Sequence, residues 1–115
     1  MGNRQRGPVS SSHRLKLKWL PESLLDLARL REFIRVHNPA AAQRAAKRIR
    51  EGARRLTAHP LLGRPVLDID RPPLRDLFIP FGQACYWLRY AVLEDAILIV
   101  KIWHGREDRE PAKPP

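Results

Sequence analysis

Cysteine is all but missing: Cys85 stands alone in 115 residues. That excludes an internal disulfide and any cysteine-based metal cluster. His13, His37, His59 and His104 have no ligand spacing, so no metal or other cofactor is expected. Long apolar runs are missing too. None approaches the ~20 residues a membrane span needs, and residues 1–14 lack the apolar centre of a secretory signal, so the cytoplasm is the expected compartment. A Gly-rich phosphate loop is absent, and so are internal repeats. Acidic residues are scarce: 12 Asp and Glu face 22 Lys and Arg, a net charge of +10. Such a balance suits a polyanionic partner, whether RNA, DNA or an acidic protein, although a solvated basic surface accounts for the same charge.

The most apolar stretch is residues 96–104, AILIVKIWH, β-branched and followed by Gly105. Its length and branching read as a strand stopped by that glycine. It lacks the alternation of a strand with one wet face, so both faces want cover. Other strands are expected at 14–20, where Leu15, Leu17 and Trp19 alternate with Lys16 and Lys18 as on a sheet edge, at 74–79 before Pro80 and Gly82, and at 84–93. Glu94 and Asp95 then make a tight turn into the last strand. Residues 66–73 read as an irregular or edge segment.

Between the first strand and the rest lie two helices. Pro21 suits a first helical turn, and Glu22 complements the helix dipole. Leu24, Leu27, Leu30 and Ile34, flanked by Ala28 and Phe33, form a stripe at helical spacing, with Asp26, Arg29, Glu32 and Arg35 on the opposite side. Asn38 caps a second helix that Pro39 opens. Its stripe is mostly small (Ala42, Ala45, Ala46, Ile49, Ala53, Leu56), and arginines and lysines crowd the remainder. The short connection implies an antiparallel helical hairpin.

The expected fold is α+β with two layers: an N-terminal strand, the helical hairpin, then a three-stranded antiparallel meander, in one small sheet. Residues 14–110 make one domain, preceded by a disordered extension (1–13) and followed by a flexible Pro-rich tail (111–115). A hairpin of helices shields one sheet face only. The other, carried by residues 84–103, is expected to be an uncovered apolar surface completed by a partner, as a docked helix or an added strand.

This order of elements resembles the RelE/ParE superfamily of bacterial type II toxins. The resemblance rests on Leu25-Asp26-Leu27, Asn38-Pro39-Ala40-Ala41-Ala42, His59-Pro60-Leu61-Leu62-Gly63-Arg64, Leu74-Arg75, Arg89-Tyr90, and the ending Ile99-Val100-Lys101-Ile102-Trp103-His104-Gly105-Arg106-Glu107-Asp108. It implies a toxin neutralised by a cognate antitoxin, expected to be acidic and partly disordered, and the expected assembly is a homodimer or a heterotetramer with that antitoxin. Two activities are open. The ParE-like branch, to which the HGR-acidic ending points, arrests growth by binding DNA gyrase and stabilises plasmids. The RelE-like branch cuts mRNA on the ribosome.

Ribonuclease chemistry needs a base, phosphate-binding cations and an acid. Phe78, Pro80 and Trp87 stand about where that branch places lysines and an arginine. Only His104 and Arg106 remain as catalytic candidates, with Arg75 as a phosphate contact. Residues expected to meet antitoxin or target are Arg75, Trp87, Arg89, Tyr90, Trp103, His104 and Arg106.

Overall fold

The computed structural model describes residues 14–67 and 73–106. The expectations for residues 1–13 and 111–115 lie outside them. Strand β1 (Lys16–Trp19) leads through Leu20 into α1 (Pro21–Arg35), and α2 (Pro39–Arg55) follows at once. Four strands follow among the described residues: β2 (Arg64–Pro65), β3 (Leu74–Phe81), β4 (Ala84–Val92) and β5 (Ala96–Arg106). All lie in one sheet ordered β1-β5-β4-β3-β2, with β1 parallel to β5 and the other pairs antiparallel.

The α+β architecture is the one the sequence implies, with one strand more. Arg64 and Pro65 pair with Asp76 and Arg75 as a two-residue edge strand. Strand β3 also runs through Pro80. Its neighbour β2 pairs with Arg75 and Asp76, so Pro80 lies beyond that strand and a missing donor does little harm. Nor does Gly105 stop β5, which continues to Arg106 opposite Ala84.

Both helix starts follow their local chemistry. Asn38 Oδ1 accepts the Ala41 amide at 3.1 Å, satisfying one of the orphan donors of α2. In α1 the Ser23 hydroxyl donates to the Leu20 carbonyl at 2.7 Å, which lets a polar side chain be fully buried. The small stripe of α2 is buried as expected: Ala45, Ile49, Ala53 and Leu56 join Leu77, Ile79, Tyr86, Leu88, Tyr90, Ile97, Ile99 and Ile102 in one core between helices and sheet. Leu17, Trp19, Leu27, Leu30 and Ile34 close its rim.

Helix α1 is rotated from the expected setting. Leu24, expected in the apolar stripe, is 50% exposed, and Phe33, expected at its flank, is more so. Asp26, assigned to solvent, turns inward, and its Oδ2 accepts the Ile102 amide. The rotation serves the sheet. Strand β1 stops pairing at Trp19, so the edge of β5 beyond Ile99 has lost its neighbour, and Asp26 takes one of the amides left over.

Candidate functional site

Alternation along β3, β4 and β5 sends Asp76, Phe78, Cys85, Trp87, Arg89 and Trp103 to the face away from the core cluster. That face is not the bare apolar surface expected for residues 84–103. It covers itself. Cross-strand partners Trp87 and Trp103 stack with ring centres 6.5 Å apart and planes within 22°. Phe78, opposite Trp87 on the other side, meets it at 5.2 Å. The Arg64 guanidinium lies over the Trp87 ring at 5.5 Å, and that of Arg89 over Trp103 at 5.1 Å. Thus Trp87 is only 7% exposed, with no helix above it among the described residues.

The same Arg89 guanidinium grips Asp76 with two hydrogen bonds, Nε to Oδ1 at 2.8 Å and Nη2 to Oδ2 at 3.0 Å. The two are directly opposed in the β3–β4 ladder, and their side chains are 12% and 5% exposed. The fork-to-fork geometry fixes the guanidinium plane and hence the ring lying against it. Gly105 has a role here other than ending a strand. A Cβ on it would sit 3.0 Å from Trp87 Nε1 and 3.2 Å from Cys85 Sγ, so its bare backbone leaves room for the indole.

A cleft of about 700 Å³ runs along the outer edge of β3, between that strand, α2 and the loop at Leu62. Its floor is apolar, with Leu77, Ile79, Phe78 and Pro80, while Arg48, Arg55 and Arg64 rim it. The main chain of β3 beyond Asp76 forms one wall with no strand beside it among the described residues, and Arg48 Nη1 donates to its Pro80 carbonyl at 2.9 Å. Exposed apolar side chains gather around it: Leu61, Leu62 and Phe78. Such an edge offers backbone groups, apolar pockets and cations together, which is what an extended peptide with apolar and acidic side chains would use.

Arg75 and Tyr90 hold the loop at Pro60 and Gly63. Arg75 Nε donates to the Gly63 carbonyl at 2.7 Å. The Tyr90 hydroxyl accepts the Gly63 amide at 2.8 Å and donates to the Pro60 carbonyl at 2.7 Å. Tyr90 is fully buried. Burial pushes its phenol upward from the usual range, opposed by the Gly63 amide and the Arg75 charge. Together the two side chains clamp the loop that forms one lip of the cleft. Gly63 is obligatory in that clamp, because a Cβ would fall 2.8 Å from both the Asp76 carbonyl oxygen and the Tyr90 ring.

His104 stands on the other side of β5 from Trp103, opposite Tyr86 and edge-on to its ring at 5.6 Å. It is exposed, and among the described residues no hydrogen bond reaches its imidazole. Arg106 ends β5, two positions on and paired with Ala84. The candidates named from sequence therefore divide. Trp87, Arg89 and Trp103 meet on the open face, Arg75 and Tyr90 hold a loop, and His104 lies apart on the helix side. Sequence reasoning missed Asp76, Arg64 and Phe78. The alternation Asp76-Leu77-Phe78 signals which of them share a face, but only the β3–β4 register brings Arg89 to Asp76.

A helical hairpin packed on one face of a five-stranded sheet, with arginines and aromatics ranged over the other, has the layered form of the RelE/ParE class of toxins. The comparisons agree. A family profile described as ParE toxin of type II toxin-antitoxin system, parDE, matches residues 17–109. Toxin RelE1 of Caulobacter vibrioides is 36% identical over 73% of this chain and 86% of its own length. Toxin RelE3 of the same organism is also 36% identical, over 77% and 92%. A solved structure titled "Chromosomal ParDE TA system from P. aeruginosa" superposes with a TM-score of 0.63 at 25% identity, covering 82% of this chain and 97% of that one. The chain belongs to the ParE toxin family of type II toxin-antitoxin systems, within the RelE/ParE superfamily.

Proposed function

We propose that this chain arrests growth in the ParE-like manner, by binding DNA gyrase rather than by cutting RNA, and that an acidic antitoxin silences it through an extended segment seated along β3. The observation that carries the antitoxin half is the cleft: a strand edge with no neighbouring strand beyond Asp76 among the described residues, an apolar floor and three arginines, Arg48, Arg55 and Arg64, of which Arg48 donates to the Pro80 carbonyl at 2.9 Å. The ParDE title of the structural relative supports an antitoxin as the occupant. The target half rests on the parDE family match and on the surroundings of His104. Its ring neighbour is Tyr86, and among the described residues no acid, base or cation bonds to it.

The reading is tested by expressing the protein without an antitoxin. Growth should stop with transcripts intact, and the purified protein should inhibit supercoiling by gyrase. Untouched supercoiling would remove the target assignment. The cleft is tested separately with Arg48→Gln and Arg64→Gln, which should weaken antitoxin binding while the protein remains toxic.

The second reading is a ribosome-dependent mRNA endoribonuclease, favoured by the 36% identity to proteins named RelE and by the exposure of His104. Transcript cleavage lost on replacing both His104 and Arg106 by alanine would establish it. Toxicity that survives the double replacement, with transcripts uncut, would eliminate it.

A further inference from the structure

Helix α2 carries cations on two flanks, and they face different chemistry. Arg48 and Arg55, one heptad apart, rim the apolar cleft along β3. On the other flank Lys47, Arg50 and Arg54 line a groove of about 490 Å³ against α1, where Arg31 joins them. Glu51 is the one acid in that lining, and Ala46, already buried in the fold, is its one apolar side chain. Lys47, Arg50 and Arg54 have no ion-pair partner among the described residues. Seven positions separate Lys47 from Arg54, about 10.5 Å along the helix axis.

This groove lacks what a protein partner needs. Stable protein interfaces are anchored by buried apolar or aromatic side chains, and the lining offers none that is exposed. Nor does it offer an aromatic ring on which an unpaired base could stack. What it offers is a row of unpaired charge. A DNA duplex presents one phosphate per ~1.7 Å of axis and is held through backbone contacts that need no apolar anchor.

We infer that the α1–α2 groove binds the phosphate backbone of duplex DNA without regard to sequence, through Arg31, Lys47, Arg50 and Arg54. The choice of DNA over RNA rests on the gyrase reading, since that target holds duplex DNA. The toxin thereby docks on DNA with one flank of α2 while the other flank serves the antitoxin.

The test is fluorescence anisotropy of a labelled 20-base-pair duplex with the full chain, titrated between 50 and 200 mM salt. Each neutralised phosphate contributes about 0.9 to the slope of log K against log salt. Changing Lys47, Arg50 and Arg54 to glutamine should flatten the slope by about 2.7 and weaken binding at least tenfold at 100 mM salt. The single Lys47→Glu change should lower affinity in the same direction, and unchanged melting midpoints would certify both folds. Arg48→Gln with Arg55→Gln, on the opposite flank, should leave the slope nearly as it was. An equal loss from that pair would mean diffuse attraction to net charge and overturn the inference. So would an unchanged slope in the triple variant, or equal affinity for an RNA hairpin of the same charge. DNA binding without inhibition of gyrase would sustain the inference while removing the target reading.

Discussion

Asp26 Oδ2 accepts the backbone N–H of Ile102 at 3.0 Å, joining α1 to β5 across 76 positions of sequence. The bond lies where β5 has lost its neighbour, for β1 pairs only from Lys16 to Trp19 and the last main-chain bond on that side runs from the Leu20 amide to the Ile99 carbonyl. Asp26 thus extends the ladder by one rung with a side chain. An amide left unpaired there costs about 1–3 kcal/mol. Asp26→Ala should lower stability by that amount, and each kcal/mol lowers the melting temperature by about 4–8 °C in a domain of this size. Asp26→Asn, which keeps an acceptor oxygen, should lose clearly less. Hydrogen exchange at the Ile102 amide provides the local check, since protection there should fall in the alanine variant and persist in the asparagine one.

Tyr90 and Arg75 hold the loop at Pro60 and Gly63 from beneath. Tyr90→Phe keeps the ring but removes one donor and one acceptor, leaving the Gly63 amide unpaired. A loss of about 1–3 kcal/mol follows, with faster proteolysis near Leu61 and Leu62. Burial raises the pKa values of both Tyr90 and Tyr86 in the folded protein. Their unfolded value is about 10. The native state favours the neutral phenols, so their contribution is fully present below pH ~10 and is lost as pH rises through the raised values. Urea titrations at alkaline pH should show that decline, and Tyr90→Phe should make it shallower.

Much of this architecture can be read from local chemistry. Asn38-Pro39 announces a capped helix, the alanines of α2 announce close packing, and the lysines of β1 announce an edge. What could not be read depended on register or on distant partners. Asp26 looks like a solvent residue because Glu22 and Arg29, one helical turn away on either side, are charged, and nothing local shows that β5 lacks a rung beside it. The sequence pattern around Arg75 and Tyr90 does not tell a binding residue from a clamp, because the distinction lies in Gly63 and Pro60, at least 12 positions away. The open face reads as apolar and uncovered, since Trp87, Trp103 and Cys85 carry no sign of the arginines that fold over that face. A shift of register between β4 and β5 at Arg89 and Tyr90 adds to the difficulty, because it resets the alternation of β5 around Val100.

The Asp76–Arg89 pair gives a sharper test of that face. Removing one member of a buried pair costs about 3–5 kcal/mol, because the other is left charged and unpaired, whereas replacing both by apolar residues of similar volume is near neutral. Arg89→Met should therefore destabilise strongly, and Asp76→Leu in the same chain should recover most of the loss. Urea unfolding of the two single variants and the double variant closes the cycle. The near-ultraviolet dichroism of Trp103 should change in each chain that lacks Arg89, since the guanidinium lies against its ring.

Gly105 and Gly82 separate steric room from backbone strain. At Gly105 a Cβ would meet the Trp87 ring at 3.0 and 3.1 Å and Cys85 Sγ at 3.2 Å. The indole has little space to yield, with Phe78 and Trp103 ranged beside it. Overpacking of this kind costs about 1–3 kcal/mol, offset in part by the ~0.4–1 kcal/mol that alanine contributes by restricting the unfolded chain. At Gly82, in the turn between β3 and β4, φ is +61° and a Cβ would meet nothing within 4 Å. There alanine costs about 1–2 kcal/mol through the left-handed backbone alone. Both variants should melt at lower temperature, but only Gly105→Ala should alter the aromatic dichroism and tryptophan emission. An unaltered spectrum in Gly105→Ala would mean that β5 shifts to make room, and that the indole of Trp87 is held more firmly than the strand beneath it.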